Sequence, residues 1–221
     1  TIDSASDNFI GGNREAGEGN LISGNLGRGV NIIGGASGNY VRGNFIGTAA
    51  SGTSLIPNGS DGVRLAGGAS SNTVGGDRGL GRGNLISGNI GQGVNITGGS
   101  RNNFVRGNYI GTDASGTGGG MMNDAHGVQV ENDSDNNEIG GSIFPAYRNV
   151  ICGNGLDGIG ILNGCDGTVI RGNYIGVGVN GTSDLGNGEN GIDIRTGCNS
   201  TVIGLSLIHI SRAHETPEHL V

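Results

Sequence analysis

Residues 29–48 read GVNIIGGASGNYVRGNFIGT, and the phrase returns at residues 93–112 as GVNITGGSRNNFVRGNYIGT and, more loosely, at residues 158–177 as GIGILNGCDGTVIRGNYIGV. An Asn stands four residues before the opening Gly of each copy. The resulting anchor, Asn-x-x-x-Gly-Val/Ile, occurs at Asn25/Gly29, Asn58/Gly62, Asn89/Gly93, Asn123/Gly127, Asn154/Gly158 and Asn187/Gly191. Successive glycines are 33, 31, 34, 31 and 33 residues apart, which defines a coil of about 32 residues. The coils alternate in type: GVRLAGGASSNTVGG from Gly62 and GVQVENDSDNNEIGG from Gly127 belong to the second kind, so two coils form a super-repeat of 64 or 65 residues. A fixed period of this length is the mark of a repeat architecture.

Within each coil, three short apolar-alternating runs are separated by Gly, Asn and Ser, which predicts strands rather than helices. Stacking equivalent positions gives aliphatic columns. The first strand supplies Val30, Val63, Val94, Val128, Ile159 and Ile192 and, two residues on, Ile32, Leu65, Ile96, Val130, Ile161 and Ile194. The second supplies Val41, Val74, Val105, Ile139, Val169 and Val202, and the third Ile22, Ile46, Ile86, Ile110, Ile151 and Ile175. One repeat cannot bury such a column alone, but a stack can. Asn20, Asn44, Asn84, Asn108, Asn149 and Asn173 precede the third run and read as corners, where Asn tolerates a sharp turn and stacked side chains form a hydrogen-bonded ladder. These features predict an all-β parallel solenoid over residues 1–204, of about six coils, open at both ends and belonging to a longer polypeptide.

The repeated coil NNFVRGNYIGTDASGT with its HGV step resembles the right-handed β-helix repeats of the pectate-lyase-like superfamily, from about Asn8 to Gly204. The resemblance implies a right-handed, single-stranded parallel β-helix. It also implies a location outside the cytoplasm and a superfamily that mixes polysaccharide lyases, hydrolases and epimerases with surface proteins. Resembling hydrolases carry N-T-D, D-D, G-H-G and R-I-K motifs. This chain has NTV at Asn72–Val74, AHG at Ala125–Gly127, no adjacent Asp pair and no R-I-K, which counts against glycoside hydrolysis.

Composition agrees. Gly is 51 of 221 residues, and here the glycines keep a period. A net charge of −7 with 12 Lys plus Arg, and no basic run with interleaved aromatics along the chain, exclude nucleic acid as the expected partner. No stretch approaches the ~18 apolar residues of a membrane span. Residues 205–221 lose the pattern and read as translated adapter sequence or a disordered tail. Their His209, His214 and His219 have spacings that suit no zinc motif.

Three sets of side chains are candidates for chemistry. The residues before each opening Gly, Arg28, Asp61, Gln92, His126, Asp157 and Asn190, stack on one edge; His126 with Asp124 and Asp157 is the catalytic candidate, against a plain solvated turn. Arg42, Arg106 and Arg171 recur in alternate coils and point outward. Spaced two rungs apart, they either grip an acidic polymer or stabilise the corners. The excursions from Gly47, Gly111 and Gly176 leave on one side, and Asp113, Asp124 and Asp184 there are the calcium candidates; no other metal or cofactor is implied. Cys152 takes the place of Ser23 and Ser87, while Cys165 and Cys198 share a column with Ala36, Ala69, Ser100 and Ser134, as free thiols or as a bridge between rungs.

The regularity of the coils favours a structural or adhesive β-helix module of a larger secreted or cell-surface protein, binding polysaccharide along its flank. Enzymes break their repeat where the chemistry sits. The alternative is a polysaccharide lyase, hydrolase or epimerase that uses other coils or the face of His126 and Arg106.

Overall fold

The computed structural model describes residues 1–141 and 145–204. The chain winds as a parallel β-helix of six complete coils followed by two strands of a seventh. Three parallel sheets run along it. The first contains Ile2–Asp3, Val30–Ile33, Val63–Leu65, Val94–Ile96, Val128–Glu131, Ile159–Leu162 and Ile192–Ile194. The second contains Phe9–Gly11, Tyr40–Arg42, Thr73–Gly75, Phe104–Arg106, Glu138–Gly140, Val169–Arg171 and Val202–Ile203. The third contains Leu21–Ile22, Phe45–Ile46, Leu85–Ile86, Tyr109–Ile110, Val150–Ile151 and Tyr174–Ile175.

The predicted columns are the core. Val30, Val63, Val94, Val128, Ile159 and Ile192 are paired in register, as are Ile32, Leu65, Ile96, Val130, Ile161 and Ile194, and Ile2 extends the latter column by one rung. The second column holds from Val41 to Ile139 and then departs from expectation. Ile139 pairs with Ile170, not Val169, and Ile170 with Ile203, not Val202. A slip of one residue turns a side chain to the opposite face, so Ile170 is buried while Val169 is half exposed. In the run Val169-Ile170 two β-branched residues compete. Arg171 settles the register, because its equivalents Arg42 and Arg106 directly follow the inward residue.

Three asparagine ladders knit the rungs. The corner column stacks as predicted and the anchor column forms a ladder as well, each side-chain amide donating to the Oδ1 of the next: Asn84 to Asn108 at 2.9 Å, Asn58 to Asn89 at 2.8 Å. A third ladder, Asn8–Asn39–Asn72–Asn103–Asn137, enters the second sheet and was not expected. Asn72 shows its economy. Its Nδ2 donates to Asn103 Oδ1 and to Ala36 O, and its Oδ1 accepts from the backbone and side chain of Asn39, so a buried amide leaves nothing unpaired. This ladder stops at Thr168 and Thr201, whose hydroxyls are buried without a partner.

The two coil types differ where the second sheet turns into the third. In one type a Gly-Asn corner joins them directly, as at Gly43-Asn44. In the other, an excursion bearing a short 3-10 helix intervenes, at Arg14–Ala16, Arg78–Leu80 and Pro145–Tyr147. These excursions close over the tight corners: Arg14 N donates to Gly81 O and Gly107 N to Tyr147 O.

Candidate functional site

The outer face of the second sheet is set by this alternation. Tyr40 and Arg42 stand on one rung, Thr73 and Gly75 on the next, Phe104 and Arg106 on the third. Gly75 cannot be larger: it has φ +92°, and a Cβ would lie 2.0 Å from Arg106 O. Large, small and large rungs leave a cleft of about 320 Å³ roofed by the excursion, lined by Tyr40, Arg42, Thr73, Gly76, Asp77, Arg82, Phe104, Arg106 and Tyr147. Its walls are two rungs apart, about 10 Å at the usual strand spacing.

The cleft is cationic. The Arg42 guanidinium lies 4.0 Å from the centre of the Tyr40 ring and that of Arg106 4.1 Å from Phe104, with Phe9 stacked behind Tyr40 at 4.9 Å. Stacking occupies the faces of the guanidiniums and leaves their N–H donors unused: Nε of both Arg42 and Arg106 is buried with no hydrogen-bond partner. Among the described residues neither these two nor Arg82 forms an ion pair, and the acid of the lining is Asp77. Burial, then the neighbouring charges of Arg82 and Arg106, hold Arg42 below its ordinary value although Tyr40 and Tyr147 oppose this. An anion entering the cleft would relieve that repulsion.

The predicted row of three arginines is therefore not uniform. Arg42 and Arg106 share the cleft with no acid paired to them, whereas Arg171, whose Nε is likewise buried without a hydrogen-bond partner, donates from Nη2 to Glu138 Oε2 at 3.1 Å. The array is also richer than the row. Arg14 lies over Phe45 at 5.2 Å, Arg78 over Tyr109 at 5.0 Å and Arg148 over Tyr174 at 3.9 Å. Every described Phe and Tyr thus rests on an Arg. The expectation of no basic and aromatic stripe is corrected here: such a stripe is absent from the linear chain and is assembled by stacking coils. The rings of the third sheet are half-buried, with the loop glycines Gly52 and Gly116 lying against Phe45 and Tyr109. Those of the second sheet border the open cleft. The signal lay in Tyr40 and Phe104, each two residues before an Arg of the row and therefore on the same face.

The stacked edge of the first sheet forms as predicted. Arg28 Nε donates to Asp61 Oδ2 at 3.0 Å, Gln92 N donates to Asp61 Oδ1 at 3.3 Å, and the Gln92 amide reaches Gln129. His126 is buried against Gly160, with Nδ1 3.3 Å from Asp157 Oδ2, off the line of a hydrogen bond, so both atoms lack a hydrogen-bond partner. The other oxygen of Asp157 accepts two bonds of 2.9 Å from Asn190. Asp124 is exposed.

The excursions stack on one side as expected, Ala114 N donating to Gly52 O and Val179 N to Gly116 O. Asp113 is used inside its own turn: its Oδ1 accepts from Ser115 Oγ at 2.6 Å and from the backbone of Ser115 and Gly118. Burial pushes its carboxyl up, and these hydrogen bonds together outweigh that and hold it below the usual range. Among the described residues no group of three or more His, Cys, Asp and Glu converges as metal ligands. Cys165 and Cys198 are free and adjacent, Cys165 N donating to Cys198 Sγ at 3.3 Å. Burial pushes the thiols of Cys152 and Cys165 up to about 11, so both are protonated at neutral pH. His209, His214 and His219 lie outside the described residues.

No protein-family model matches the chain. No curated protein matches it. Among solved structures it is similar to a double mutant of the periplasmic alginate epimerase AlgG, with a TM-score of 0.50 and 14% identity, over 90% of this chain and 45% of that one. The chain thus spans less than half the length of that structure, and the likeness is one of fold, a parallel β-helix. No helix among the described residues is long and apolar enough to cross a membrane.

Proposed function

We propose that the chain is a rigid β-helix module of a larger secreted or cell-surface protein that binds a carboxylate-bearing polysaccharide in the cleft of Arg42 and Arg106. The observation that carries this reading is a pair of ring-stacked guanidiniums with unsatisfied N–H donors and no acid paired to them, in a chain whose net charge is −7. Arg holds carboxylates through planar N–H pairs, and stacking on an aromatic ring fixes its plane beforehand. The cleft volume, near the lower end for ligand sites, suits one sugar residue of a chain rather than a buried oligomer. The fold of the alginate epimerase, named for a uronic acid polymer, is consistent with such a ligand.

Calorimetry against polygalacturonate, alginate, a neutral glucan and single-stranded DNA tests it. Binding should follow the uronates, weaken with salt, and fall by about tenfold or more in Arg42→Ala and in Arg106→Ala, as loss of a charge-assisted hydrogen bond requires. Equal binding of the neutral glucan, or variants that bind like the parent, would sink the proposal. DNA bound in preference to uronates would assign the array to stacking of bases instead.

A second reading, polysaccharide modification, draws on the His126–Asp157 pair. Asp157, fixed by Asn190, stands 3.3 Å from Nδ1, and Nε2 is the nitrogen that would transfer the proton. New reducing or unsaturated ends formed from these polymers, and lost in His126→Gln, would favour it.

A further inference from the structure

The second super-repeat supplies a carboxylate where the first has none. Thr73 and Glu138 face Phe104 from its two sides and hold the same station in the coil, and Gly75 is in register with Arg106 as Gly140 is with Arg171. Glu138 therefore stands to Arg171 as a carboxylate above Thr73 would stand to Arg106. In the second super-repeat that carboxylate belongs to the chain and lies 3.1 Å from Arg171, with both side chains partly buried. In the first, the short Thr73 side chain ends at the floor, and the space above it is the cleft.

We infer that the station above Thr73 holds the carboxylate of a bound acidic sugar residue, between Arg106 and Arg42, and that Glu138 is the built-in occupant that closes the same station one super-repeat further on. This rests on the uronate reading of the cleft and adds the placement of the ligand and the residue that decides which coil binds. A guanidinium already paired with Glu138 gains little from a second anion. Three guanidiniums facing the single carboxylate of Asp77 still call for one.

The test sets Thr73→Glu beside Thr73→Gln, which has the same length without the charge, and uses an oligogalacturonate as probe. Thr73→Glu should weaken binding by about tenfold or more, and Thr73→Gln by about threefold or less. Equal losses would mean that bulk rather than charge fills the station, and would overturn the inference. Glu138→Thr should add a second, weaker binding event at Arg171; its absence would remove Glu138 from the role of occupant. A crystal structure of the Thr73→Glu variant reads the placement without any ligand. The introduced carboxylate should rest on Arg106, and one turned to solvent would refute the station. If the parent binds no uronate while that carboxylate does pair with Arg106, the polysaccharide reading falls and the anion station stands.

Discussion

The first and second super-repeats share one backbone and differ on one face. From Tyr40 to Arg106 the second sheet has an unbroken asparagine ladder, a threonine floor and an open cationic cleft. From Glu138 to Arg171 the ladder ends at Thr168, and an ion pair spans the place of the cleft. The core columns and register continue through both. The second super-repeat is thus an internal control: the coil closes without the cleft, so the unpaired guanidiniums of the first are surplus to folding. A buried Nε without a partner occurs in both, at Arg42, Arg106 and Arg171, so what sets the first apart is guanidinium charge with no acid paired to it.

Several substitutions would break or sharpen this contrast. The largest effect belongs to Asn72→Ala, which leaves the buried Asn39 backbone N–H without an acceptor and removes one of the two hydrogen bonds made by the Asn39 side-chain amide and by Ala36 O; a loss of about 3 kcal/mol is expected in urea unfolding. Gly75→Ala and Gly140→Ala follow at about 2–3 kcal/mol each. Gly140 has φ +98°, and a Cβ there would also lie 2.0 Å from a carbonyl, that of Arg171, so the two losses should match. Unequal losses would show that the backbones are not equivalent. Thr168→Asn should continue the ladder, give Asn137 Nδ2 a side-chain acceptor and raise stability by about 1 kcal/mol; a decrease would mean that the ladder ends there for another reason. The smallest effect is expected for Glu138→Gln. Its ion pair is about a quarter exposed, so the change should stay below about 1 kcal/mol and shrink further in salt.

Most of the fold was legible because the core is one-dimensional. Each inward residue is buried by its copies above and below, so the repeat period carried the tertiary contact, and Val63 between Val30 and Val94 could be placed without coordinates. Reading failed where a local pattern was degenerate. Val169-Ile170 offered two equal candidates for one inward place, and the third ladder escaped notice because its Asn residues are embedded in runs such as Asn102-Asn103 and Asn136-Asn137. The candidate site was half legible: the arginine row could be aligned, as could the stacked edge that sets His126 beside Asp157.

By itself, then, the sequence determined the coil, its period, its inward columns and the outward placement of Arg42, Arg106 and Arg171, since these follow from strand alternation and from repetition along the chain. Only the tertiary structure decided which of those arginines are free. Pairing is a matter of what stands one rung away, 33 residues distant along the chain: Thr73 beside Arg106, Glu138 beside Arg171.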